Sequence, residues 1–271
     1  SSTTTACDQP SGYEASYEDC DDSDSSVSPA ATEICGDGVD NDCDDSTLAC
    51  GISGTHQLSK ELELRGASAG ALFGASLAAG DFNGDGLSDL LVGATAQAPY
   101  GEAYVFFGPV TADAKADDAD LAIAGSYGGT ASAVAALGDL DGDGTDDFAI
   151  GNPGFLDGST ADAGGVWVFY GPASGAGDVY DADETWLGQL EGQAAGAALA
   201  GIEDQDGDGL AELIDGSPGW STAAAGGQAV LRSAGQAASS SGPGLVSSTS
   251  GDELGSAVLG ADLDGDGTDD V

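Results

Sequence analysis

The sequence predicts an all-β fold of repeated four-stranded units, and three recurring features carry that prediction. A nine-residue acidic loop returns four times, at residues 81–89 (DFNGDGLSD), 139–147 (DLDGDGTDD), 204–212 (DQDGDGLAE) and 262–270 (DLDGDGTDD). Its first residues lie 58, 65 and 58 positions apart, a long period with small insertions that marks stacked or radial repeats. After the first three loops comes a short apolar run bounded by Gly, at 90–93, 148–151 and 213–216, and then a stripe of aromatic or β-branched residues.

The loop itself reads as a cation cage. Oxygen-bearing side chains stand at positions 1, 3, 5 and 9, and Gly at position 6 permits the sharp turn that wraps a chain round an ion. The candidate ligands are Asp81, Asn83, Asp85 and Asp89 in the first loop and Asp139, Asp141, Asp143 and Asp147 in the second. In the third they are Asp204, Asp206, Asp208 and Glu212, and in the fourth Asp262, Asp264, Asp266 and Asp270. At position 7, Leu87, Thr145, Leu210 and Thr268 would each offer a backbone carbonyl, whatever the side chain. An all-protein oxygen set favours Ca2+ over Mg2+, which keeps its waters, and over Zn2+, which prefers nitrogen and sulfur. An EF-hand would require Glu at position 12 and a flanking helix on each side. Position 12 is Val92, Ile150 or Asp215, and the runs that follow the loops are too short for helices, so the loops are expected to join strands as hairpins.

Each unit continues with a second strand candidate, at 101–109, 165–172 and, more weakly, 227–232. A last stretch precedes the next loop, at 57–66, 120–125 and 184–192. With the segment leading into the loop this gives about four strands per unit, the content of a β-propeller blade. Residues 73–93, FGASLAAGDFNGDGLSDLLVG, resemble the FG-GAP repeat, the blade unit of integrin α-chain propellers, and the likeness extends over roughly residues 56–271. The other copies replace Phe73-Gly74 by Thr130-Ala131, Ala195-Gly196 and Leu254-Gly255, which puts identical blade packing in question while the loop survives. The resemblance implies a calcium-stabilised propeller, usually seven-bladed, that serves adhesion or extracellular recognition. Seven blades at this period need about 400 residues, so about 3.5 to 4 blades are expected over residues 51–271, C-terminally incomplete, as a fragment of a larger ring. A closed four-bladed ring is the alternative, against which stands an end at Val271 just after the fourth loop.

Residues 1–50 differ in kind, being rich in Ser, Thr and Asp and holding all five cysteines: Cys7, Cys20, Cys35, Cys43 and Cys50. So small and polar a segment needs disulfides or metal to fold, and cysteines confined to it point to an oxidising, extracytoplasmic setting. Five cysteines can be drawn as two bridges and a spare in fifteen ways, and the sequence does not choose among them. The segment, with DGVDNDCD at 37–44, resembles the MopE-type metal-binding Cys/Asp repeat of secreted bacterial proteins. Asp40, Asp42 and Asp44 repeat the 1, 3, 5 spacing of the other loops, although Leu48 stands where an acid would complete the site. The family label mentions copper, yet the segment lacks His and Met, so calcium is the expected ion here too.

The formal net charge is −44, with 48 acids against Lys60, Arg65, Lys115 and Arg232. Thirty of the 48 acids fall in the four loops or in residues 1–50, where cations are expected, so folding should depend on metal supply. A merely solvated acidic surface would account for the remainder but not for the 1, 3, 5, 9 placement. The sign of the charge disfavours nucleic acid and anionic membranes as partners, and no apolar run reaches the length of a membrane span.

Catalysis has little to build on. His56 is the only histidine, no nucleophile elbow occurs, and most close carboxylate pairs are already committed to the loops. Trp167 and Trp186 sit in strand-like runs and are expected in the core, whereas Trp220 reads as a loop residue and the best carbohydrate contact of the three. The expectation is therefore a non-enzymatic, secreted or surface-displayed Ca2+-binding propeller with an extracellular protein or glycan ligand. The alternatives are an accessory propeller of a secreted hydrolase or lyase, and a purely structural spacer or matrix protein.

Overall fold

A computed structural model describes residues 62–271, apart from 159, 176, 206, 223–224, 236–243, 250, 262–268 and 270–271. The Cys/Asp-rich segment with its five cysteines and Asp40, Asp42 and Asp44, His56, the predicted third-loop ligand Asp206, and all the predicted ligands of the fourth loop lie outside these residues.

A two-residue strand β1 (Leu64–Arg65) precedes a four-stranded antiparallel sheet of β2 (Phe73–Gly80), β3 (Asp89–Ala94), β4 (Glu102–Phe106) and β6 (Leu121–Ala124), with a short β5 (Ala114–Lys115) between the last two. The second sheet runs β7 (Ala133–Gly138), β8 (Asp147–Asn152), β9 (Gly165–Phe169), β10 (Glu184–Leu187). The third is β11 (Ala198–Ile202), β12 (Glu212–Thr222), β13 (Ala225–Arg232), β14 (Gly244–Val246). Each sheet is a meander in chain order, and the described residues contain no α-helix, only single 3-10 turns at Ala116–Asp118 and Val179–Asp181.

The apolar runs read from the sequence are the second strands, β3, β8 and β12. Their neighbours on both sides satisfy the backbone groups, and both faces are covered, which is why these runs lack alternation. The sheets pack face to face. One core joins Leu91, Val105 and Ile123 of the first sheet to Val134, Phe148 and Trp167 of the second, with Phe82 edge-on to Phe148 at 5.2 Å. A second core joins Val166, Val168 and Trp186 of the second sheet to Leu213 of the third. Trp167 and Trp186 are buried core residues, as their strand positions predict.

The inner strands β2, β7 and β11 lie side by side, and the outer strands meet the next repeat through parallel contacts. β1 pairs with β5, and Ala124 at the end of β6 bridges Asp178, with the Ala124 N–H donating to the Gly177 carbonyl at 3.1 Å. Blade contact also explains the altered Phe-Gly pairs. Gly74, Ala131, Gly196 and Gly255 all have φ between 62° and 90°, so the second copy keeps the same left-handed turn with alanine. Against three of these turns sit the glycines that end the apolar runs. A Cβ on Gly93, Gly151 or Gly216 would collide with the carbonyl oxygen of Ala131, Gly196 or Gly255, so each repeat needs a bare backbone where the next one crosses it.

One expectation is overturned. Trp220 is half-buried within β12, which runs on to Thr222, and is not a loop residue. The register with β13 shifts between Ser217 and Ser221, and this bulge absorbs Pro218 while the strand continues. The bulged backbone is anchored by the Gly219 N–H, which donates to the Gln193 carbonyl at 3.1 Å.

Candidate metal loops

The three described loops each join an inner strand to the second strand of its sheet, as hairpin connections between β2 and β3, β7 and β8, and β11 and β12. Their internal hydrogen bonds repeat. The position-1 carboxylate accepts the position-6 N–H: Gly86 to Asp81 at 2.7 Å, Gly144 to Asp139 at 2.9 Å and Gly209 to Asp204 at 2.8 Å. The position-5 carboxylate accepts the position-7 N–H: Leu87 to Asp85 at 2.9 Å, Thr145 to Asp143 at 2.8 Å and Leu210 to Asp208 at 2.9 Å. At position 6 the backbone is left-handed, with φ of 84°, 91° and 92° at Gly86, Gly144 and Gly209, where a side chain would be strained. These bonds hold each loop in the same tight turn, with the carboxylates of positions 1 and 5 bonded to the backbone of positions 6 and 7.

Position 9 is the first residue of the second strand and is buried: Asp89 is 1% exposed, and Asp147 and Glu212 are 0% exposed. Asp89 accepts the N–H groups of Phe82 at 2.9 Å and Gly108 at 2.7 Å, so it ties its loop to the chain leaving β4. Asp147 does the same with Leu140 at 2.7 Å and Gly171 at 2.8 Å, beyond β9. Glu212 accepts the Gln205 N–H at 2.7 Å. Burial is the main force raising the pKa of Asp89, with the Asp85 and Asp81 carboxylates adding to it. Burial likewise pushes Asp147 up to about 7, with Asp141 close by working in the same direction.

In the second loop, oxygens of Asp139, Asp141 and Asp147 lie within 4.8 Å of one another, and in the third those of Asp204, Asp208 and Glu212 do so. The first loop has Asn83 at position 3, where the second has Asp141. A hard cation fits this donor set, because the donors are all oxygen and a positive charge beside Asp147 is what would keep so buried a carboxylate ionised.

Two features of this region were not anticipated from the sequence. Position 8, outside the predicted cages, carries Asp146 in the second loop and Asp269 in the fourth, and both reach the preceding repeat. Asp215, considered only as a failed EF-hand ligand, instead forms an ion pair with Arg232 at 2.8 Å.

Among the described residues no helix is long and apolar enough to cross a membrane. A family model for the FG-GAP repeat matches residues 73–106 and 130–169, and the MopE-type model, described as "Putative metal-binding motif", matches residues 19–47. Human integrin alpha-IIb is 36% identical over 171 residues, which is 58% of this chain and 16% of that protein. Integrin alpha-5 of Xenopus laevis is 34% identical over 163 residues, 55% of this chain and 15% of its own. Integrin alpha-PS5 of Drosophila melanogaster is 33% identical over 165 residues, 57% of this chain and 16% of its own. The matched region thus spans about a sixth of these relatives. FG-GAP repeats imply a β-propeller, and the four-stranded meanders described above have the form of its blades. The chain carries FG-GAP repeats similar to those of integrin α-chains, preceded by a MopE-type motif, and this likeness suggests an adhesion or recognition propeller.

Proposed function

We propose that this chain is a secreted or cell-surface recognition protein in which Ca2+ ions pin the inner hairpins of a β-propeller, with residues 1–50 as a separate Cys/Asp-rich module and residues 51–271 as blades. The observation that carries this reading is the repetition, in three loops, of one hydrogen-bonded turn that ends in a buried position-9 acid, with three carboxylates drawn together in the second and third. The ions would be held by Asp81, Asn83, Asp85 and Asp89, by Asp139, Asp141, Asp143 and Asp147, by Asp204, Asp206, Asp208 and Glu212, and by the matching residues of the fourth loop. Position-7 carbonyls complete each set. Asp40, Asp42 and Asp44 are the corresponding candidates in the first module.

The role of the metal is structural. Calcium sites of extracellular modules have Kd of about 10⁻⁴–10⁻³ M, a range that fills outside a cell and empties inside it. Charge supports the same reading, since a chain of net charge −44 closes more easily with bound cations. Recognition of a protein or glycan belongs to the loops at the other end of the strands, such as those between β3 and β4 and between β8 and β9. These loops are free to vary without disturbing the metal hairpins. The described residues contain no histidine, and the function proposed is binding without catalysis.

The test is thermal unfolding of the full chain in millimolar CaCl2, in MgCl2 and in excess chelator. The expected result is a Tm at least about 10 °C higher with calcium than with chelator, and little protection by magnesium. Coincident melts in all three would refute the proposal.

A further inference from the structure

The metal loops are not independent of one another. Asp146, at position 8 of the second loop, accepts the backbone N–H of Asp81 through Oδ2 at 2.8 Å, and its own N–H donates to the Asp81 carbonyl at 3.1 Å. Asp81 is position 1 of the first loop, so both peptide groups flanking its Cα are held by a single residue of the next repeat. The surroundings are close. A Cβ on Gly80 would lie 3.0 Å from Asp146 Oδ2, and one on Gly84 would lie 3.3 Å from Thr145 Oγ1.

The same seam recurs between the second and third loops with one part missing. Ala211, again at position 8, donates its N–H to the Asp139 carbonyl at 3.1 Å but has no carboxylate to take the neighbouring N–H. In the fourth repeat the acid returns one residue out of register, and Asp269 Oδ2 accepts the N–H of Glu203, the residue before position 1, at 3.1 Å.

We infer that Asp146 is a positioning residue that couples cation binding in the first two loops, so that filling the second loop preorganises Asp81 to complete the first. The physical reason is that the Asp146 backbone and side chain are fixed by the turn that the second loop must adopt to present Asp143 and Asp147. A turn that stays loose leaves Asp81, and with it the first cage, without its outer support. The seam between the second and third loops, with a single backbone bond, transmits less. This inference rests on the calcium reading of the loops, and the experiment separates the two.

The full chain is labelled with 15N and titrated with CaCl2, and the amide signals of Gly86 and Gly144 report the first and second loops separately. The expected result is that Asp143→Asn, which weakens the second site and preserves its shape, raises the calcium midpoint of Gly86 by about fivefold or more. In an Asp146→Ala background the same change leaves that midpoint within about twofold, whereas an Asp146→Asn background, which keeps an oxygen acceptor, restores the shift. Asp208→Asn in the third loop moves the Gly144 midpoint less than Asp143→Asn moves that of Gly86. A Gly86 midpoint indifferent to Asp143→Asn, or a shift that persists undiminished with Asp146→Ala, overturns the coupling while leaving calcium binding intact. Amides that do not respond to calcium in the unmutated chain overturn both.

Discussion

The guanidinium of Arg232 donates to Asp215 Oδ2 from Nη2 at 2.8 Å and from Nε at 3.2 Å, with both side chains nearly or fully buried in the third sheet. The other oxygen of Asp215 accepts the Gly196 N–H at 2.7 Å, and the Arg232 guanidinium lies 5.4 Å from the Trp186 ring of the second sheet. Arg232 takes the ladder position that Phe106 holds in β4 and Phe169 in β9, and its guanidinium reaches across to the second sheet. Arg65 and Lys115 also form ion pairs, with Glu63 and Asp117, but on the surface, where such contacts contribute little.

Breaking that buried pair should be costly. Asp215→Ala strands a buried guanidinium and removes the partner of the Gly196 N–H, and the expected loss is about 3–5 kcal/mol. Replacing both ends, with Asp215→Leu and Arg232→Met, should cost clearly less than the two single changes combined. Urea unfolding of the unmutated chain, Asp215→Leu, Arg232→Met and the double variant in saturating calcium gives the coupling directly, and strict additivity would contradict it.

Crossing of the repeats makes a second, steric prediction. A Cβ on Gly151 would overlap the Gly196 carbonyl oxygen, a backbone atom that cannot swing aside, so Gly151→Ala must push the second and third sheets apart. The expected destabilisation is about 1–3 kcal/mol. Gly154→Ala is the control, because there the nearest atom to the new methyl is at 3.7 Å, an ordinary contact. Its change should stay within about 0.5 kcal/mol. Equal losses for the two variants would show that backbone entropy, and not the crossing, sets the cost.

Much of this architecture is legible in the sequence because it is local. The acidic loops, the apolar runs and the stripes of 101–109 and 165–172 each fold on their own residues, and repetition supplies four readings of one pattern. What the sequence hides is set by register and by neighbours. Asp215 faces Val230 across the β12–β13 ladder, so Arg232 reaches it on the diagonal, a relation that exists only once the pairing is fixed. Trp220 reads as a loop residue because Pro218 and Gly219 precede it, and the bulge that keeps it in a strand depends on the distant Gln193 carbonyl. The loss of Phe-Gly at Thr130-Ala131 looks like a change of packing from residue types alone, yet Ala131 adopts a φ of 62° and keeps the turn. Position 8 escapes notice because a cage is read from its ligands, and Asp146 acts on the cage next door.

If cations hold the hairpins one by one, damage to one cage should be felt first in its own sheet. In the second loop, Asp143 accepts the Thr145 N–H at 2.8 Å, and position 9, Asp147, ties the hairpin to Gly171 beyond β9. Asp143→Ala removes a proposed ligand and that turn contact together. In calcium, hydrogen exchange should therefore quicken most in β7 and β8, by about tenfold for an opening made easier by 1.4 kcal/mol. The strands β2 and β3 should follow to a smaller degree through Asp146, and β11 and β12 least, since only the Ala211 N–H joins their loop to Asp139. Addition of chelator to the unmutated chain should quicken all three hairpins together. A uniform loss of protection in Asp143→Ala would mean that the blades open as one body, and local pinning would be wrong.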